Sequence, residues 1–187
     1  MLLKTFNFIK VDSTNNIASE IINQEKSKAG IVVSQIQTNG RGTKGRTWVS
    51  LKHNLFISIF FRINRELVNT DKLSLLNPKI LKKILEKYTL EKIIIKHPND
   101  LLVRNSKICG ILQEVINHKN KSYLIIGIGL NSLRYAYNNN FRSISLKKIS
   151  NKMVSNERLI EEIKKEYEIL IRNINKLNFF QLITKIK

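Results

Sequence analysis

The run NLFISIFFR, residues 54–62, is apolar at nearly every position, and AGIVVSQI, residues 29–36, is almost as continuous and rich in β-branched side chains. Runs of this kind read as buried strands, since a half-exposed strand would alternate apolar and polar residues. Around them, strand and helix signals follow one another in an α/β order. Residues 2–11 read as a strand, and 13–23 as a short helix with Ser13 or Asp12 as N-cap and Ile17, Ile21 and Ile22 on one face. Positions 70–88 are helical, with Pro78 expected to kink or split the segment. KIIIKHPND, 92–100, is a strand ended by Pro98, and residues 100–116 form a hairpin turning at Asn105-Ser106. KSYLIIGIGLN, 121–131, is its neighbour across the turn HKNK. From Ser155 onward, Leu159, Ile160, Ile163, Tyr167, Leu170, Ile171 and Ile174 recur at helical spacing. The polar, Asn-rich stretch 133–154 carries the fewest signals.

A length of 187 residues, 42% of them hydrophobic, suits one domain with a sizeable core. No apolar run reaches the roughly 18 residues of a spanning helix, and the N-terminus has no cleavage signal. The single cysteine, Cys109, forms no internal disulfide. A cytoplasmic protein, without a membrane partner, is expected. The formal charge of +19 would attract polyanions. The lysines, however, are spread among Asn and Ile, and the aromatics lie in apolar runs, so the charge reads as compositional bias and specific DNA binding is not expected. His53, His97 and His118 have no zinc-ligand spacing.

Between the two apolar runs lies GRGTKGRTW, Gly40 to Trp48, which holds three of the chain's seven glycines. Gly40, Gly42 and Gly45 allow positive φ and close backbone approach, while Arg41, Lys44 and Arg46 supply cations. The arginine fork grips phosphate or carboxylate with two hydrogen bonds. The run is neither GxxxxGK[ST] nor a dinucleotide GxGxxG, because a strand follows it instead of a helix. It reads as an anion-binding loop, with a mobile basic turn as the alternative. Trp48 is open to either base stacking or a core position.

Further blocks bear on the choice: VDSTNN at 11–16, KHPND at 96–100, KICGILQEV at 107–115 and GIGLN at 127–131. Together with the glycine loop, in this order, they resemble the catalytic domain of biotin protein ligases. That family's pattern runs S-T-N, Q-x-x-G-R-G-R-[RK]-G-R-x-W, K-W-P-N-D, K-x-x-G-I-L-[VI]-E and G-[IA]-G-x-N. The resemblance extends over roughly residues 1–185.

What the resemblance implies is an α+β fold, with a mixed, largely antiparallel sheet flanked by helices. The implied reaction joins biotin to ATP with magnesium, giving biotinyl-adenylate, and then passes biotin to a lysine of a carboxylase's biotin carboxyl carrier domain. By matched position, Ser13, Thr14 and Asn15 would bind the ureido ring, a role that leaves Ser13 free to cap its helix as well. Gln37 would border the biotin site. Arg41, Gly42 and Thr43 would wrap the carboxylate and phosphate, with Gly40, Arg46 and Trp48 on the nucleotide. Lys107 would sit at the reacting carboxylate and α-phosphate, so Arg41 and Lys107 are the candidate catalytic pair. Asn99 and Asp100 would meet ribose, phosphate or magnesium, with Asp100 as the metal ligand, although a turn after Pro98 accounts for them equally. Lys96 would add charge or merely end a strand. Gly110, Ile111 and Leu112 would wall the ring and valeryl chain, and Asn131 would meet adenine or end its strand.

The sequence departs from the pattern at Thr43 (arginine in the family), His97 (tryptophan) and Gln113 (aliphatic). Against the resemblance, no winged helix is expected before the catalytic blocks and no small β-barrel, common in the family, after the terminal helices; some relatives pair as homodimers through their sheets, and nothing in the sequence marks such an edge. A degenerate biotin binder and a lipoate or octanoyl transferase are the alternative readings.

Overall fold

In the computed structural model, residues 2–65, 68–137, 141–174, 181, 182 and 184 are described. Seven strands form one sheet: β1 (Lys4–Val11), β2 (Ala29–Gln37), β3 (Leu55–Ile63), β4 (Ile94–Lys96), β5 (Asp100–Val103), β6 (Ser106–His118) and β7 (Lys121–Leu130). Their spatial order is β1-β2-β3-β7-β6-β5-β4, with β1 and β2 parallel and every other pair antiparallel. The expected mixed, largely antiparallel sheet is what forms.

The near-continuous apolar runs are explained by what covers the sheet. On one face, α1 (Thr14–Asn23) packs Ala18, Ile21 and Ile22 against Val32, Phe60, Tyr123 and Ile125. On the other, α2 (Thr70–Leu85) and α4 (Asn156–Asn173) cover the larger core, which includes Ile57, Ile59, Phe61, Ile126 and Ile128. Alternate residues of β3 therefore serve both layers, and burial on two faces removes the polar half of the pattern. A short helix, α3 (Leu146–Ile149), lies in the Asn-rich stretch where none was expected.

Three local expectations are corrected. α2 runs unbroken through Pro78, which is itself buried. The missing N–H costs a helix roughly 3 kcal/mol, a loss that packing of Leu76, Ile80 and Leu81 offsets. The strand expected over 92–100 is only β4, which ends at Lys96 before Pro98, and Asp100 already belongs to β5. The hairpin turns at Arg104-Asn105 instead of Asn105-Ser106: φ is 49° and 58° there, the left-handed pair of a two-residue turn. Lys119 and Asn120 repeat this between β6 and β7, at 44° and 58°. Finally, the end of the resemblance beyond Ile174 falls mostly outside the described residues.

Candidate active site

Every residue singled out above for a site role, except Gly40, Lys44 and Gly45 of the loop, lines one cleft of about 690 Å³ on the α1 face of the sheet. Four parts of the chain meet there: the N-terminus of α1, the 40–49 loop, the β5–β6 hairpin, and residues Ala136, Phe141, Arg142 and Ser143.

The loop is a small hairpin of its own. Arg41 bridges Thr47 in antiparallel fashion, and the N–H of Trp48 donates to the carbonyl of Gly40 at 2.8 Å. A Cβ on Gly40 would lie 2.7 Å from the Trp48 carbonyl, so glycine is required by close approach and its place is behind the cleft wall. Positive φ occurs at Gly45 (70°) and, against expectation, at Lys44 (57°). The Arg46 guanidinium donates to the carbonyl and hydroxyl of Thr43, at 3.2 and 2.9 Å.

At the α1 end, Ser13 occupies the N-cap position, but its side chain makes no capping bond. The free N–H of Thr14 is taken by Gln37 Oε1 at 2.8 Å, which also accepts from the Thr14 hydroxyl. Gln37 in turn donates to Ser50 Oγ, tying the helix start to the end of the loop. Asn15, 3% exposed, donates to Glu114 Oε2 at 2.7 Å, and its carbonyl accepts from the Ser58 hydroxyl. Ser58 and Glu114 were given no role in the sequence. Ser58 is nevertheless the one hydroxyl inside LFISIFF, a visible exception to an apolar run.

The floor is built from paired glycines. Gly110 of β6 faces Gly129 of β7, and Leu112 faces Gly127. A Cβ on Gly127 would strike Asn15 Oδ1 at 2.3 Å, and one on Gly129 would strike Trp48 Cε2 at 2.4 Å. The indole thus lies flat on the floor, with its N–H buried and unpartnered. The Lys107 ammonium stands 5.1 Å from the indole centroid and 2.7 Å from Asp100 Oδ1. Asn15, Trp48 and Lys107 therefore follow one another along the strands, the first two about 7 Å apart at two residues of rise.

The remaining candidates have backbone partners. Asn99 donates to the carbonyl of Ile111 at 2.8 Å, and Asn131 to that of Lys107 at 3.3 Å. Asn54, 2% exposed, clamps the turn after Asn131 by accepting from the N–H groups of Leu133 and Arg134. Arg142 and Ser143, also unforeseen, reach the wall because the 142–144 backbone pairs with Lys107. Burial pushes the Cys109 thiol up to about 12, against the pull of the Lys107 ammonium, so it stays protonated and inert. Gln113 points away from the cleft, into a buried chain with Asn77 and Tyr167.

The sequence profile of the biotin/lipoate A/B protein ligase family matches residues 6–131. The chain belongs to this family. Among relatives of known name, the bifunctional ligase/repressor BirA of Escherichia coli (strain K12) is 32% identical over 123 residues, 65% of this chain and 38% of the E. coli protein. The match thus spans well under half of that relative. Among family structures, the biotin protein ligase of Aquifex aeolicus in complex with biotin and ATP superposes with a TM-score of 0.79 at 26% identity, covering 98% of this chain and 77% of the other. The Leishmania major biotin protein ligase in complex with biotin gives 0.71 at 27% identity, covering 86% and 71%. No described helix is long and apolar enough to cross a membrane.

Proposed function

We propose that this chain is a biotin–protein ligase, activating biotin with ATP and delivering it to a lysine of a biotin carboxyl carrier domain. The observation that carries this reading is the order of groups in the cleft: a neutral hydrogen-bonding end at Thr14 and Asn15, an apolar glycine and indole floor, then the Lys107 ammonium, with the Arg41 guanidinium on the neighbouring loop. Biotin has the same order of ureido ring, apolar ring and chain, and carboxylate. The cleft's size is also that of a small-molecule site.

In the first step a carboxylate oxygen attacks the α-phosphorus, the bond to the bridging oxygen breaks and pyrophosphate leaves. In the second, the carrier lysine's amine attacks the acyl carbon, AMP departs and the amine loses a proton. Charge grows on phosphate oxygens in one step and on the acyl oxygen in the other. The fixed ammonium of Lys107 and the loop cation of Arg41 stabilise those charges, and the walls hold the reactants in line, which is where such sites gain most of their rate. Arg46, Lys96 and Arg142 add positive charge along the nucleotide side. Asn131 and Trp48 border the space left for adenine.

Magnesium fits as a passenger on the triphosphate. Asp100 offers one carboxylate, and the described residues hold no group of three metal-ligating side chains, a donor set that suits an ion kept mostly on phosphate oxygens. When bound, it screens phosphate charge. The test is to mix the protein with Mg-ATP, labelled biotin and a carrier domain, then repeat with lipoate. Biotin-dependent pyrophosphate release and carrier labelling are expected; lipoate-dependent turnover, or no adenylate with either acid, would overturn the reading.

A further inference from the structure

One oxygen, Glu114 Oε2, receives both the Asn15 amide at 2.7 Å and the Arg41 guanidinium at 2.6 Å. That single atom therefore brings the two donors side by side, and it holds Arg41 next to Asn15. Asn15 belongs to the neutral end and Arg41 to the cationic loop. The loop also stands off β6 over a hollow of about 390 Å³, lined by residues 39–47, Leu112 and Glu114, and the Arg41–Glu114 pair spans it.

Two consequences follow from the chemistry. Asn15 gives its NH2 to a carboxylate and takes the Ser58 hydroxyl on its carbonyl, so turning the amide over would lose both bonds. Arg41, by contrast, is held by an ion pair whose side chains are 37% and 30% exposed, a setting in which a pair is worth little and exchanges readily. An incoming carboxylate offers Arg41 the same geometry that Glu114 does.

Resting on the ligase reading, we infer that Glu114 is a positioning residue with two functions. It fixes the polarity of Asn15, and it competes with the ligand's anionic end for Arg41. The competition lowers affinity for the acid and leaves that for a neutral analogue untouched. Glu114 is then a determinant of how strongly the site discriminates charge, acting through Arg41 without touching the reacting atoms.

The experiment measures binding of biotin and of neutral biotinamide to the whole chain by calorimetry. Glu114→Gln keeps an acceptor for Asn15 and removes the charge. Biotin should bind about fivefold tighter, the scale of a half-exposed ion pair, and biotinamide unchanged. Glu114→Asp, which retains the charge, should keep the wild-type ratio of the two affinities, and Glu114→Ala should weaken both ligands. In an Arg41→Met background, Glu114→Gln should leave the ratio unaltered. Equal shifts for both ligands, or weaker biotin binding in Glu114→Gln, would overturn the inference while leaving the ligase reading in place. Wild-type protein that binds neither ligand would remove that reading as well.

Discussion

Lys107 and Asp100 face one another across the β5–β6 pair, with Nζ 2.7 Å from Oδ1 and side chains 29% and 17% exposed. The ammonium is held at a fixed point above the glycine floor, where reorganisation during reaction is small. Lys107→Met should lower the rate of biotin-dependent pyrophosphate release by about 10²–10³-fold, the usual loss for one preorganised charge-stabilising donor. The biotin dissociation constant should move far less. A release rate near wild type in single-turnover measurements would show that Lys107 has no part in the chemistry.

Trp48 is the chain's one tryptophan, so its fluorescence reports on the floor directly. In Gly129→Ala the new methyl would lie 2.4 Å from the indole, a rigid group that must shift as a whole. The emission should move to the red as the ring leaves its half-buried position, and biotin affinity should fall by about tenfold, as expected when about 1.4 kcal/mol of contact is lost. An unaltered spectrum with unaltered affinity would contradict the packing described.

Thr43 stands where the family has an arginine, and it holds the Arg46 guanidinium through its carbonyl and hydroxyl oxygens. Thr43→Arg adds a cation and frees one N–H of Arg46. Retention of biotinyl-adenylate should lengthen by about tenfold, in line with one charge-assisted hydrogen bond of about 1.5–3 kcal/mol. The release rate of labelled adenylate, followed by filtration, is the measurement; equal rates in the two proteins would dispose of the idea.

Gln113 replaces an aliphatic residue, and its amide is used structurally. It accepts from Asn77 Nδ2 at 2.9 Å and donates to the Thr70 carbonyl, while the Tyr167 hydroxyl donates to Asn77 Oδ1 at 3.0 Å. The chain links β6, α2 and α4 behind the sheet. Gln113→Leu strands a buried donor on Asn77 and should cost about 1–3 kcal/mol in urea unfolding, with much of it recovered only in the Gln113→Leu, Asn77→Leu, Tyr167→Phe triple variant, which also removes the hydroxyl that donates to Asn77. Biotin affinity should not change, since the cleft is on the other face.

Burial pushes the Tyr167 phenol above its ordinary range. A raised folded-state pKa contributes stability fully present below the unfolded value near 10 and lost as pH climbs past it. The stability difference between wild type and Tyr167→Phe should therefore shrink above pH of about 10. A difference that stays constant to high alkali would rule out this linkage.

Much of the architecture was legible because it is local. A strand's alternation and a helix's 3.6-residue repeat are set by neighbours within a few positions, which is why β2, β3, α1 and α4 stand where the apolar runs and caps placed them. Pro78 and the first hairpin misled for the converse reason: a burial environment and a left-handed residue pair are decided by what surrounds them. The motif blocks likewise announced the kinds of groups in the cleft, its amide, its loop cations and its lysine.

What the chain's order of residues determined alone was that inventory of elements and chemical groups. Tertiary structure decided the pairings: that Glu114 takes both Asn15 and Arg41 from 99 and 73 residues away, that the buried Ser58 hydroxyl bonds the Asn15 carbonyl, and that Gln113 turns away from the cleft. Sheet register governs all three. A shift of one residue would exchange the faces of β6 and send its carboxylate into the core, a constraint held by many distant contacts at once and by no short stretch of sequence.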